Sequence, residues 1–315
     1  MDSLPQTFHE GELALQRTAG AQERLALAGP RVIRDHMPQQ HRDFFTELPF
    51  LVVGMVDAAG QPWASVLAGP PGFVHSPQER ELHVDALPGG HDPLASTLRE
   101  GAAIGLLGIQ PHTRRRNRLN GWVGALGTSG FQVRVGQSFG NCPKYIQARQ
   151  AEYSAGHGDL AAVEQLSALD AQARAALASA DTFFVATAHP GAAGSASPAH
   201  GVDVSHRGGK PGFVKVQGDT LTVPDFVGNA FFNTLGNLLL QPRCGLLFID
   251  FEGQGLSWIF AEAEVVTEGA ELRGFQGAQR LVRFHVHGLR RAANALPLRW
   301  QPGPASPEVA LTGNW

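Results

Sequence analysis

Six consecutive residues, Ser205-His206-Arg207-Gly208-Gly209-Lys210, place a hydroxyl, an imidazole and two cations around a glycine pair. Such a set suits an anionic guest. Guanidinium and ammonium groups neutralise its charge, and backbone without side chains lets N–H groups come close. The surrounding stretch, "GVDVSHRGGKPGFVKV" from Gly201 to Val216, reads as a strand, a basic turn and a second strand. An earlier stretch, "PWASVLAGPPGFVHS" from Pro62 to Ser76, has the same outline. It carries Val66, Leu67 and Pro70 where the later one has His206, Arg207 and Lys210. The later copy is therefore expected to hold a ligand's charge and the earlier one to keep only the scaffold.

The elements that must position these residues repeat as well. A chain of 315 residues exceeds a usual single core, which points to two domains. Its Gly 38 and Pro 21 predict many turns between short strands. "PFLVVGMVDAAGQPWASVLAG" predicts two strands around a turn at Asp57–Gln61, followed by strands in "RELHVDAL", "AAIGLLGIQ" and "GFQVRVGQSF". A short helix is expected in "DPLASTLREG", capped by Asp92, and another in "CPKYIQARQAEY". From Leu160 to Ala180, Val163, Leu166, Leu169, Ala173 and Leu177 recur at helical spacing, which predicts a linker helix. Strands then resume in "DTFFVATAHP", "GVDVS", "GFVKV" and "DTLTVP". A helix near "FFNTLGNLLL" and strands in "RCGLLFIDF", "LSWIFAEAEVV" and "RLVRFHVHGL" complete the second half. Pro71-Gly72-Phe73-Val74 overlays Pro211-Gly212-Phe213-Val214, and Gly105-Leu106-Leu107 overlays Gly245-Leu246-Leu247, both at a shift of 140. Ser65 falls on Ser205 and Gly69 on Gly209 at the same shift. Several anchors at one offset indicate a tandem duplication of a small β-rich unit.

At "SHRGGKPGFV", "LTVPDFVGN", "NTLGN" and "PRCGLLFID", and again at "NCPKYIQAR", the sequence resembles the pyridoxamine 5′-phosphate oxidase-like family of FMN-binding split β-barrels. The resemblance covers most of residues 45–275. It implies a mainly β fold with α: two tandem split β-barrel domains joined by a helix. The implied division is a helical arm (1–44), a first barrel (45–158), a linker helix (159–180), a second barrel (181–290) and an extended tail (291–315). Family members hold FMN in the groove between two barrels. A tandem pair could form that groove within one chain, with a homodimer as a further step. The resemblance places Ser205, Arg207 and the backbone of Gly208 and Gly209 at the phosphate, with Lys210 adding charge and His206 near the flavin or its substrate. It places Pro224, Asp225 and Asn229 at a second strand's end and the turn into a helix, where Asn233 and Asn237 face one side. Many relatives carry Arg or Lys where this chain has Asn229-Ala230, so the phosphate needs a cation from Arg207, Lys210 or the other repeat. The implied activity is a flavin-dependent oxidation or reduction of a small molecule, with NAD(P)H or a separate reductase as electron donor. No catalytic residue is assigned. A non-catalytic flavin or haem module is the alternative.

Other constellations carry weaker chemistry. "HTRRRNRLNG", His112 to Gly121, is the densest basic cluster and is read as a loop after the "GLLGIQ" strand. It could supply the missing phosphate cation, bind a nicotinamide nucleotide, or simply be solvated. "GQSFG", Gly136 to Gly140, matches a nucleophile elbow, with Asp181 or Asp203 and His285 as partners for Ser138. The strands around it do not alternate with long helices, which argues against a hydrolase. Cys142 is expected to open a helix, and Cys244 to lie in the core. The 13 histidines show no metal-binding spacing. A net charge of −3 and basic runs without interleaved aromatics argue against nucleic acid. Two cysteines, no leader-like start and no apolar run of spanning length lead to the expectation of a cytoplasmic protein away from membranes.

Overall fold

The computed structural model describes residues 7–155 and 162–315. Three helices open the chain: α1 (Glu10–Thr18), α2 (Gln22–Val32) and α3 (Gln39–Thr46). The first repeat follows as β1 (Phe50–Val56), β2 (Pro62–Ala68), β3 (Val74–Gln78), β4 (Glu81–Val84), β5 (Ala103–Gln110), β6 (Arg115–Leu126) and β7 (Phe131–Gly140). β8 (Arg149–Tyr153), β9 (Glu164–Leu166) and α4 (Ala171–Ser179) connect it to the second. That repeat contains β10 (Thr182–Ala188), β11 (Val202–Gly208), β12 (Lys215–Gln217), β13 (Thr220–Phe226), α5 (Asn233–Leu240) and β14 (Arg243–Ile249). It continues through β15 (Leu256–Val266), α6 (Ala270–Gly274) and β16 (Ala278–Ala292). β17 (Leu298–Pro302) and α7 (Pro307–Ala310) end the chain.

The duplication is visible strand by strand. The first sheet runs β2-β1-β5-β6-β7-β4-β3 and the second β11-β10-β14-β15-β16-β13-β12, the same order with each label advanced by nine. Register agrees as well. Val53 pairs with Ser65 and Leu106, and Val185 pairs with Ser205 and Leu246. Gly105 faces Asn120 where Gly245 faces Phe260, and each of these partners is followed by a β-bulge against the next strand. The chain is therefore two tandem split β-barrel units, mainly β with α.

The repeats press together through the anchors that revealed them. A Cβ on Gly105 would lie 2.6 Å from the Val202 carbonyl oxygen, and one on Gly245 would lie 2.3 Å from that of Pro62. Pro62 and Val202 are themselves 140 residues apart, so both contacts belong to one two-fold-like crossing. Only glycine lets the backbones approach this closely. A single apolar cluster consequently joins Leu51, Val53, Leu106 and Leu107 of the first repeat to Phe184, Val204, Leu247 and Trp258 of the second.

Four local expectations need correction. Residues 92–98 form turns instead of a helix, with Asp92 Oδ1 accepting the Leu94 N–H at 2.8 Å. Residues 141–148 have no helix, and the segment after them is β8. The linker helix spans only Ala171–Ser179, N-capped by Asp170; Leu160 lies outside the described residues. In front of it Glu164–Leu166 pairs with β16, and Glu164 bridges Arg291, so an available sheet edge overrides helical spacing. The tail is extended only in part: β17 pairs with β8, Leu296 and Leu298 are buried, and a short helix follows. Among the described residues no helix is long and apolar enough to cross a membrane.

Candidate functional site

Strand alternation determines which side chains meet between the repeats. On β6, Arg116 and Arg118 share one face and point towards the second repeat. On β11, Ser205 and Arg207 share a face and approach from the other side, and the intervening His206 also lines the cavity. The end of β13 adds Asp225 and Phe226, the first turn of α5 adds Asn233 and Thr234, and the start of β16 adds Arg280. These groups, with Asn141, Cys142, Asn229 and Phe232, line a cavity of about 220 Å³. A smaller cleft of about 80 Å³ adjoins it and shares Arg116, Cys142, His206 and Arg207.

A dense polar network forms the floor. Arg118 donates to Asp203 and to the Ser205 hydroxyl, and to Asn233 Oδ1 at 3.2 Å. Thr234 Oγ1 donates to Asp203 Oδ2 at 3.1 Å and also meets the Ser205 hydroxyl. Glu12 reaches this network from the N-terminal arm. Its Oε1 accepts from Asn233 Nδ2, and its Oε2 accepts the His9 N–H at 2.8 Å. Burial pushes the Glu12 carboxyl up to about 8, against the lowering effect of the His9 and Asn233 hydrogen bonds. Glu12 is thus mostly neutral near pH 7. The arm can lie this close because Gly11 and Gly236 meet where α1 crosses α5; a Cβ on Gly11 would be 2.2 Å from the Gly236 carbonyl oxygen.

Above the floor the cations outnumber their partners. Arg207 and Arg280 both bind Asp225, at 2.8 Å and 3.4 Å. Arg116 has no carboxylate partner among the described residues. Its Nε donates to the Cys142 carbonyl at 3.0 Å, and its Nη1 to His206 Nδ1 at 3.3 Å. A guanidinium only donates, so His206 Nδ1 accepts and the ring is neutral. Burial first, then Arg116 and Arg207, hold His206 well below the usual imidazole range. Burial, reinforced by Arg118 and Arg207, pulls Arg116 down to about 9, which leaves it charged at neutral pH. Arg118 Nε is a buried donor without an acceptor among the described residues. Four guanidiniums against Asp203 and Asp225 leave two positive charges in excess. The wall loop between β13 and α5 holds Ala230 and Phe232 at φ of 64° and 63°, a strained left-handed backbone of the kind retained at binding sites.

Of the residues expected from sequence, Ser205, His206, Arg207, Asp225, Asn229 and Asn233 line the cavity. Gly208 and Pro224 line the adjoining cleft. Gly209 and Lys210 line neither cavity. Lys210 Nζ donates to the Thr312 carbonyl of the tail, and the Gly209 carbonyl accepts from Gln147 Nε2 at 3.0 Å. The glycine pair also serves packing: a Cβ on Gly208 would lie 2.1 Å from the Tyr145 carbonyl oxygen, and one on Gly209 2.4 Å from the Phe213 ring. Gly69 meets Phe73 in the same way at 2.5 Å, which explains its presence in the uncharged copy. Asn237 is buried and donates to Thr187 Oγ1 at 3.1 Å.

The basic cluster is largely strand β6 and not a loop, which makes Arg116 and Arg118 inward-facing. Arg280 and Glu12 were not expected. The "GQSFG" segment lies inside β7, with no strand-to-helix turn. Ser138 is fully buried, and its hydroxyl meets His41 Nδ1 at 3.0 Å. Asp181 is paired with Arg149, Asp203 with Arg118, and His285 lies beside Thr220, so none forms a triad with Ser138. Cys142 sits in irregular backbone, its Sγ accepting the Lys144 N–H at 3.4 Å. His9, Glu10 and His189 place possible ligand atoms within 4.8 Å of one another. His9 Nδ1 and His189 Nδ1 each accept a backbone N–H, from Gly11 and Gly191. Both neutral rings therefore carry their proton on Nε2, which suits the His189–Glu10 hydrogen bond at 3.3 Å and not a metal.

No family model matches the chain, and no curated protein does. Among solved structures it is similar to HupZ of Group A Streptococcus, at 18% identity and a TM-score of 0.30 over 40% of this chain and 99% of that one. It is similar to a pyridoxamine 5′-phosphate oxidase candidate from Lactobacillus delbrueckii, at 13% and 0.30 over 39% and 93%. A FAD-binding protein from Mesorhizobium loti gives 12% and 0.27 over 42% and 97%. Each covers about two-fifths of the chain. The fold assignment rests on strand order and register within the chain itself.

Proposed function

We propose that the cavity between the repeats binds a flavin nucleotide, FMN, through its phosphate, and that the chain uses it to oxidise or reduce a small molecule. The observation that carries this reading is the cluster of four guanidiniums facing two carboxylates. A charge excess of two in a partly enclosed site matches a phosphate monoester dianion. The donors fit the group: among the described residues Arg116 has only neutral partners, and Arg118 Nε has none. Arg116, Arg207 and Arg280 would hold the phosphate. Phe226 and Phe232, also in the wall, would give a ring system apolar surface.

Bound flavin would supply the one- or two-electron chemistry that no side chain here provides. The chain's own residues bind and orient. Asp225 holds Arg207 and Arg280 in place, Asp203 holds Arg118, and the neutral Glu12 adds no charge opposing an anion. The electron donor is proposed to be NAD(P)H or a separate reductase. The test is titration of the purified full chain with FMN, read by quenching of flavin fluorescence, followed by anaerobic addition of NAD(P)H. Saturable quenching and bleaching of the bound flavin are expected. Absence of both bound flavin and quenching overturns the reading. Binding without reduction by any donor favours a non-catalytic flavin module.

A further inference from the structure

The duplication generates a second groove, related to the first by the crossing of Gly105 and Gly245. Register identifies its residues without ambiguity. Arg118 corresponds to Trp258, Arg116 to Leu256, Arg207 to Leu67, Ser205 to Ser65 and Asp203 to Trp63, each 140 residues apart. The hydrogen bond at the centre of each groove is preserved in position and changed in chemistry. In the first groove Arg118 of β6 donates to Ser205 of β11. In the second, Trp258 Nε1 of β15 donates to Ser65 Oγ of β2 at 3.0 Å. The Ser65 hydroxyl in turn donates a hydrogen bond to Asp92, much as the Ser205 hydroxyl donates to Asp203. The second groove is filled: Trp258 and Ser65 are 0% exposed, and Leu67 and Leu256 are each 4% exposed. Trp63 packs edge-on against Phe260 at 5.8 Å, and the Arg290 guanidinium lies over the Trp63 ring at 5.3 Å.

We infer that the chain holds one ligand per chain, that both walls of this site come from the same chain, and that Trp258 with Leu67 and Leu256 has turned the twin site into core. This rests on the proposed ligand site for its first half and on packing alone for its second. A phosphate-bearing guest cannot enter the twin groove, because that would require moving a buried indole and placing a dianion where Leu256, Trp258 and Leu67 stand in place of Arg116, Arg118 and Arg207. Dimerisation is not needed to complete the ligand site.

Two measurements test it. Equilibrium dialysis of the full chain against FMN, at protein concentrations spanning two decades, should give one equivalent per chain throughout. Two equivalents, or half an equivalent rising only with protein concentration, would overturn the inference while leaving the flavin reading intact. The second needs no ligand. Leu67→Arg buries a cation without a counterion in a closed groove, and should lower the melting temperature by roughly 5–10 °C. A melting temperature unchanged in Leu67→Arg would show the twin groove to be open and overturn the inference. If FMN fails to bind, the flavin reading falls and the Leu67→Arg melt decides the packing claim alone.

Discussion

Arg116 and Arg118 are two residues apart on one strand, face one cavity, and should respond in opposite ways to the same substitution. Arg118 is paired with buried Asp203. Removing it in Arg118→Met strands a carboxylate, which costs about 3–5 kcal/mol. That corresponds to a fall in melting temperature on the order of 10 °C. Arg116 has no carboxylate to strand. Its two partners are a backbone carbonyl and a neutral imidazole. Losing those bonds costs about 1 kcal/mol each, offset by removing a charge held near Arg118 and Arg207. Arg116→Met should therefore melt within about 2 °C of the parent, by the same temperature scaling. Towards a phosphate-bearing ligand its loss should be large: charge-assisted hydrogen bonds contribute about 1.5–3 kcal/mol, or roughly 10- to 150-fold in Kd. The assay is FMN fluorescence quenching beside differential scanning fluorimetry on both variants. An unchanged Kd in Arg116→Met would refute the charge count. A destabilised Arg116→Met beside a stable Arg118→Met would refute the assignment of ion pairs.

Arg207→Ala should weaken FMN binding about tenfold, in the range of one charged hydrogen bond, whereas Lys210→Ala, whose ammonium is spent on the Thr312 carbonyl, should leave Kd unchanged; titration of both variants checks this. Glu12 has a folded value of about 8 against an ordinary 4.5, so its contribution to stability is complete below pH 4.5 and is lost as pH rises to 8. Ionisation near pH 8 also adds negative charge beside Arg118, so anion affinity should fall above that pH, and Glu12→Gln should flatten both profiles. Gly245→Ala places a methyl 2.3 Å from the Pro62 carbonyl oxygen and should lower the melting temperature or the soluble yield sharply, with Gly72→Ala, which has open space but positive φ, costing only about 1 kcal/mol. Ser138→Ala should change no ester turnover, because the hydroxyl is buried inside a strand; an esterase signal lost in that variant would revive the hydrolase reading.

The duplication was legible because its anchors are residues that packing cannot exchange. Gly105 and Gly245 touch backbone across the repeat interface, and Gly69 and Gly209 touch Phe73 and Phe213, so each survived in both copies for the same steric reason. The charged strand β11 was legible for a different reason: Arg207 and Lys210 stand where the first copy has Leu67 and Pro70. What remained hidden depends on partners far along the chain. Glu164–Leu166 is a strand only because β16 offers an edge, and residues 92–98 form turns where the corresponding region of the second repeat forms α5. Glu12 meets Asn233 across 221 positions, which no local pattern encodes. Arg116 and Arg118 carried a readable signal, a period of two inside a basic run, but the run's density suggested a solvated loop.

One further step follows from the contrast between the two grooves. In an assembly of identical subunits, a substitution that fills one groove fills its mate, so ligand binding and interface packing compete at every position. Linking the copies in one chain removes that constraint. Trp258 and Leu67 could then strengthen the core shared by the repeats while Arg118 and Arg207 kept a cavity with excess charge. The polar floor of that cavity is costly to bury, and a fully packed twin groove beside it offsets part of the cost. The repeat that donates Trp258 as filler also donates Ser205 and Arg207 to the cavity, and the repeat that donates Leu67 as filler also donates Arg116 and Arg118. Neither half is simply a scaffold: each supplies one wall of the cavity and one half of the plug. Trp258→Arg alone should therefore not create a second site, since Leu67 and Leu256 would still lack charge, and FMN stoichiometry in that variant should stay at one per chain while its melting temperature falls.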